Sequence, residues 1–449
     1  MDRQADILKD PIGKLILTFS IPAFLGIVIN LLYGFIDGIV IGDGIGQNAL
    51  GGVTVIFPLT LMMIAFASMI GEGLGSFVAR EIVKDKSSVM KCIKTAFALM
   101  TWCIIIIVTM SLLFLDPLIR QLGAVEEIFV YAKHYYLSLL PGLPFMVWSL
   151  VYFHHLNAQG RIKTAMKAMM LSAGLNIILD IVFVYWFKWG VIGAGVATSI
   201  AQAYWFLHMH IHALRNQEII TFKMPFVLIV DKYYARLIIT IGLSAFIRQI
   251  GITISLILIN KLASSYDVIY VASFGATQRI LRLVISPIAA VSTAFKPIVG
   301  QNYGKGQMFR VQKSIKYSIM ATLVLGSILI LIVILIREPL GRTFGIGSHD
   351  MNIFIRVLLL TSCLLPIYGV HHLAVAYFTA LGMAKQAISL NIIKQIILLI
   401  PMVIILPKLF GVYGLFMALP LSDLLSIGIA YIMMKNDIAK LIMKEVPIS

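Results

Sequence analysis

The residues able to do chemistry in this chain are a few polar groups set in long apolar runs. Asn176 and Asp180 are four apart and share one face of a helix; Thr198 and Gln202 do the same on the next run. A helical hairpin through Trp189-Gly-Val-Ile-Gly-Ala-Gly-Val-Ala-Thr198 would point all four into one pocket. In the first apolar run, Asn30, Tyr33 and Asp37 follow at i, i+3 and i+7 on a common face. If the two faces meet, two carboxylates share a poorly hydrated space, where they repel each other and lack solvation; one proton or one Na⁺ relieves both. Carboxylate, amide and hydroxyl oxygens are hard donors, suited to a hard cation rather than a soft transition metal. The plainer reading, that these groups hydrogen-bond between helices, stands beside it.

These groups need a scaffold, and composition says which kind. Of 449 residues, 60% are hydrophobic and 12% charged, with a mean hydropathy of +0.97, outside the range of soluble domains. Apolar stretches of about 20 residues recur, each long enough to cross a hydrocarbon core of about 30 Å. The alternating pattern of a β-barrel is absent, so the fold class is all-α and polytopic, in a lipid bilayer. The net charge of +16 is read as Lys and Arg in cytoplasmic loops, not as a nucleic-acid surface. Cys92, Cys103 and Cys363 lack metal-ligand spacing and are expected as free thiols. No removable signal peptide is expected in Met1 to Lys9. The chain has no Walker loop, G-x-S-x-G or H-E-x-x-H element, so neither ATP-driven work nor hydrolysis is expected.

Twelve spans are predicted, at about 15–41, 49–79, 90–115, 127–155, 164–187, 190–213, 233–261, 268–298, 312–336, 352–379, 386–406 and 411–434. Lys and Arg crowd one set of loops, leaving Arg120, Lys188, Lys261, Arg337, Arg342 and Lys408 for the other; both termini are therefore expected in the cytoplasm. The stretch 215–231, with Pro225, divides the spans six and six into an N-lobe (1–214) and a C-lobe (232–449). A shift of 221–222 residues lays Pro144 on Pro366, Gly160 on Gly382, Gly190 on Gly411, Gly193 on Gly414 and Ala197 on Ala418. Two parallel six-helix lobes about a pseudo-two-fold along the membrane normal follow. The same shift carries Asp37 onto Leu258 or Ile259, Asp180 onto Pro401 or Met402, and Thr198 onto Leu419 or Pro420. On that comparison the polar pocket belongs to the N-lobe alone.

Pro22 removes a backbone hydrogen bond inside span one, as a hinge or as a fixed kink. Arg248, Arg279, Arg282 and Lys394 bring positive charge into spans seven, eight and eleven, either lining a cleft for an anionic or zwitterionic solute or pairing with Asp423. His154-His155, His208-x-His210-x-His212 and His371-His372 have the wrong helical spacing for a metal and are read as packing or interfacial residues.

Twelve spans in two halves, Pro22 and Asp37 in span one, Asn176-x-x-x-Asp180 in span five, the Trp189 to Thr198 run, Arg80, and Pro287 followed by Gly300-Gln-Asn-Tyr-Gly304 together resemble the multidrug and toxic compound extrusion (MATE) family. The resemblance spans essentially the whole chain. It implies a cell-membrane antiporter that exports drugs or other amphipathic organic solutes by alternating access while Na⁺ or H⁺ enters, with no other cofactor and no enzymatic activity. It further implies that Asp37, Asn176, Asp180 and Thr198 form the coupling site, with Na⁺ as the metal they would hold, and that Pro22 bends span one. Other branches of the family place acidic residues in spans seven and ten, where this chain has Arg248-Gln249 and His371-His372. Asn30, Tyr33, Gln202, Arg248, Arg279 and Arg282 are candidate cleft residues, and a monomer is expected. A lipid-linked saccharide flippase of the same superfamily is the alternative, favoured by the C-lobe arginines and opposed by the twelve spans; an intramembrane enzyme or receptor is a second. The topology predicts that alkaline phosphatase fused after Ser449 is inactive and that green fluorescent protein fused there fluoresces; the reverse pattern would place the C-terminus outside.

Overall fold

A bilayer leaves backbone N–H and C=O groups no water to bond, so long apolar segments satisfy them internally as helices. The computed structural model describes residues 6–122, 124–215 and 228–445; most of the connection 215–231, including Pro225, lies outside the described residues. In chain order the helices are α1 (Ile12–Gly44), α2 (Gln47–Glu81), α3 (Lys86–Leu113), α4 (Leu115–Gln121), α5 (Glu126–Leu139), α6 (Leu143–Ala158), α7 (Ile162–Asp180), α8 (Gly190–Arg215), α9 (Lys232–Ser264), α10 (Val268–Gly304), α11 (Met308–Leu335), α12 (Arg337–Thr343), α13 (Met351–Ser362), α14 (Leu365–Ala380), α15 (Ala384–Ile392) and α16 (Ile400–Glu445). Two π-helical segments, Ile181–Trp186 and Ile393–Leu399, continue α7 and α15. No strand occurs among the described residues.

Nine of these stretches are long and apolar enough to cross a membrane, and eleven if each of two bent pairs counts as one span. The bent pairs are α5 with α6, at 57°, and α13 with α14, at 42°. Pro144 and Pro366 stand just beyond the two breaks, 222 residues apart, where the missing N–H cannot continue the preceding helix. The stretch Ala384–Lys440 has 57 residues, on the order of 85 Å of helix and far more than one crossing needs. Gly411 divides it, with φ 62° and ψ −156°, which brings the number of spans to twelve among the described residues.

The duplication is visible in the elements. α3, α4 and α6 reappear 222 residues later as α11, α12 and α14 (86 to 308, 115 to 337, 143 to 365). Packing repeats with them: α2 lies on α3, α5 and α6, and α8 on α5, α6 and α7, as α10 lies on α11, α13 and α14, and α16 on α13, α14 and α15. The repeated glycines are the left-handed turn positions, Gly160 with Gly382 (φ 80° and 75°) and Gly190 with Gly411 (φ 60° and 62°). Close packing groups Leu25–Gly242 as one compact unit and Met1–Phe24 with Leu243–Ser449 as the other. α1 and α9 therefore each change unit along their length.

Helix ends outside the membrane carry ordinary caps. Asp85 accepts from the Ser88 hydroxyl and the Ser87 N–H at the start of α3, and these bonds hold its carboxyl below the usual carboxylate range. The three cysteines are free thiols. A side chain at Gly411 would be forced into a backbone region open almost only to glycine. Gly411→Ala is predicted to cost about 1–3 kcal/mol, while Gly428→Ala, where an added Cβ meets nothing within 4 Å, costs nothing or stabilises. Thermal unfolding of the two variants in detergent checks this, and equal midpoints would contradict it.

Candidate functional site

The hairpin of α7 and α8 positions most of the site. α7 ends at Asp180, where the π segment begins; such local register changes recur at functional sites. The turn that follows has Lys188 and Gly190 in left-handed backbone, with Trp189 stacked on Phe183 at 4.8 Å between ring centres. Ser172 Oγ donates to the Ala201 carbonyl at 2.6 Å and ties the two helices together. α8 thus presents Thr198 opposite Asn176 and Asp180, all three buried.

Asn176 links the other two. With its amide oriented to face donors and acceptors correctly, it donates to Asp180 Oδ2 at 2.8 Å and accepts from the Thr198 N–H at 3.2 Å and hydroxyl at 3.3 Å. Asp37 approaches from α1. Two glycines let that helix lie close: a Cβ at Gly26 would meet Met166, and one at Gly44 would meet Val184 at 2.8 Å. The Tyr185 hydroxyl donates to Asp43 Oδ2 at 3.2 Å beside Gly44. The Asp37 and Asp180 carboxyls come within hydrogen-bonding reach of each other. Two ionised carboxylates cannot hydrogen-bond, so the contact calls for a shared proton or an intervening cation. One oxygen of each, Asp37 Oδ1 and Asp180 Oδ1, is buried without a hydrogen-bond partner. Two unpartnered buried carboxylate oxygens, with the Asn176 and Thr198 oxygens beside them, fit a small hard cation. No cluster of three His, Cys, Asp or Glu placed to hold a metal ion occurs among the described residues.

Tyr33 stands in the field of both carboxylates and within hydrogen-bonding reach of Thr198, so it belongs to the site and not only to a cleft. Tyr135 does the same from α5, and sequence reasoning missed it. Its placement depends on the break after α5. The carbonyls of Ser138 and Leu139 at the break accept from Ser199 Oγ at 2.8 and 3.1 Å, which pins the end of α5 to α8 beside Thr198. Gln202 lies one turn on from Thr198 against Gly142, its Oε1 buried and unpartnered, and Asn30 is exposed. Pro22 lies in α1, which runs on unbroken through it, in the segment Met1–Phe24. Arg279 and Arg282 are exposed on α10, and Asp423 pairs with Lys394. His210 accepts or donates to Tyr152 Oη at 2.6 Å within an aromatic core with Phe97 and Phe206, a packing role.

The family model named MatE matches residues 22–182 and again 244–405, two starts 222 residues apart (244 minus 22), the offset found within the sequence. The multidrug export protein MepA of Staphylococcus aureus (strain MSSA476) is 24% identical over 425 residues, 92% of each chain. MepA of Staphylococcus haemolyticus (strain JCSC1435) is 23% identical over 418 residues, 92% of this chain and 91% of its own. Among solved structures, a multidrug resistance MATE family transporter of the MOP superfamily in an outward-facing conformation superposes with a TM-score of 0.88 at 23% identity, covering 98% of this chain and 99% of that one.

The geometry predicts that Thr198→Val, which removes one oxygen donor and leaves the packing volume intact, weakens cation binding by about tenfold, the worth of one good hydrogen-bonded ligand. The cation concentration giving half-maximal transport reads this out, and an unchanged value would place Thr198 outside the site.

Proposed function

The chain belongs to the MatE family, and from that premise we propose that it is a cation-coupled antiporter exporting drugs or other amphipathic organic solutes through the cell membrane. The observation that carries the coupling reading is the Asp37 and Asp180 pair, with one buried, unpartnered oxygen on each. A coupling ion must bind one conformation better than the other, since a ligand shifts an equilibrium only by its differential affinity. A pair of carboxylates held together in apolar surroundings has that property: apart, each can find other partners, and together they require a proton or Na⁺. For a monovalent cation moving inward, each 100 mV contributes about 2.3 kcal/mol of drive.

α1 is the element through which the ion would act. It carries Asp37 and Tyr33 in one compact unit and Pro22 in the other, and the division between Phe24 and Leu25 falls two residues after the proline. A proline lacks the hydrogen bond that would resist bending at that point. In α1, Gly26 and Gly44 bring the helix against Met166 and Val184 without an intervening side chain, so a bend at Pro22 would move Asp37 relative to those contacts. Asn176, Asp180 and Thr198 sit on the tied hairpin and supply the fixed half of the site.

The relatives are multidrug export proteins, which supports an organic small-molecule cargo for this chain as well. Asp180→Asn is predicted to abolish solute efflux driven by an imposed Na⁺ or pH gradient in proteoliposomes, while the protein elutes and unfolds like the unmutated one. Efflux at the unmutated rate would contradict the proposal.

A further inference from the structure

The other half of the chain holds a second polar cluster of the opposite sign, built from the corresponding spans. In the first half the groups come from spans one (Tyr33, Asp37), four (Tyr135), five (Asn176, Asp180) and six (Thr198). In the second half they come from spans seven (Arg248), ten (Tyr368, His371, His372), eleven (Lys394) and twelve (Asp423). In each half a charged residue of the fifth span marks the start of a π-helical segment: Asp180 precedes the first, and Lys394 lies in the opening turn of the second. Lys394 is about 15 Å along its span, near the middle of a hydrocarbon core, where an ammonium is rare and marks a functional site by default.

The cluster lies wholly within one compact unit. Lys394 Nζ is 2.7 Å from Asp423 Oδ1 and 4.9 Å from the centre of the Tyr368 ring, and the lysine is buried. The charged groups whose fields reach Tyr368 and the two imidazoles are Lys394, Arg248 and Lys296, and one carboxylate, Asp423. His371 is 3% exposed, and its Nδ1, like His372 Nε2, is buried without a hydrogen-bond partner. The one carboxylate among these groups, Asp423, is engaged by Lys394, and the two unpartnered imidazole nitrogens beside it leave room for a further acidic group to accept hydrogen bonds.

We propose that this cluster is an anion site, in which Lys394 and the His371–His372 pair take the carboxylate or phosphate group of an organic acid or acidic lipid, and Asp423 holds the lysine until that group displaces it. The proposal rests on the reading of the chain as an exporter and gives the solute one chemical property, an acidic group. It also gives the two halves complementary tasks: one meets the coupling cation, the other the acidic end of the cargo.

Equilibrium binding tests it without any gradient, so it can fail while cation-driven export stands, and the reverse. The full-length protein in phosphatidylcholine nanodiscs is titrated with dansylglycine, and with dansylcadaverine, which carries an amine in place of the carboxylate, following dansyl anisotropy. Dansylglycine is expected to bind at least about tenfold more tightly, as a charge-assisted contact to a buried cation requires. Lys394→Gln alone strands a buried Asp423 and risks misfolding, so the decisive variant is Lys394→Gln with Asp423→Asn, a neutral pair of the same size. It is expected to lose about tenfold in dansylglycine affinity and to leave dansylcadaverine unchanged, whereas Asp423→Asn alone is expected to bind dansylglycine more tightly. Displacement of dansylglycine by benzoate marks a free organic acid as the natural occupant; displacement by phosphatidylglycerol in the nanodisc marks a lipid headgroup. Unmutated affinity in the double variant, equal binding of the amine, or no displacement by either competitor would overturn the proposal.

Discussion

Two carboxylates are brought together where water is scarce, and much of the first compact unit serves to hold them there. Asp37 and Asp180 come from helices distant in sequence, and nothing in a bilayer favours their approach unless a cation or a proton joins them. Several contacts hold the Asp180 side in place. Asn176 bonds to Asp180 and Thr198, Ser172 ties α7 to α8, and Ser199 ties α8 to the end of α5. Asp37 rides on α1, which those ties do not include. A site whose two carboxylates ride on different helices is one in which a bound ion can bias helix position.

Gene duplication supplied the frame for this, and divergence made the two copies chemically unlike. The broken fourth span, the left-handed glycines and the π segment in the fifth span occur in both halves. These are backbone features, and they set where a side chain can enter the interior. In one copy the interior group is a carboxylate held by an amide, and in the other an ammonium held by a carboxylate. The same geometry therefore presents opposite charge, and the duplicated scaffold need not repeat one binding task twice.

Sequence alone reaches a good part of this. The all-helical membrane class follows from hydropathy, and the repeat follows from turn glycines because only glycine suits those backbone angles. Asn176, Asp180 and Thr198 are legible because four-residue spacing fixes a face. Asp37 is legible as an ionisable group in an apolar run. Tyr135 is not, because its contribution depends on a helix break that aims the end of α5 at α8, and one tyrosine among 17 carries no mark of that. The second cluster also escapes a linear comparison. Asp180 shifted by 221–222 residues lands on Pro401 or Met402, whereas Lys394 lies seven or eight residues earlier, about two helical turns along the same face. The expectation of a polar pocket in one half alone is thus corrected: both halves have one, and a fixed residue offset conceals the second.

Cation coupling in this protein turns on the Asp37 and Asp180 pair as the place where the cation binds. Infrared difference spectroscopy of the protein in lipid, recorded on acidification and on addition of Na⁺, observes carboxyl groups directly as they gain or lose a proton or a metal ion. A carboxyl band that changes with proton or Na⁺ and disappears in the protein carrying both Asp37→Asn and Asp180→Asn is the predicted result. The same difference spectrum from the doubly substituted protein would contradict it.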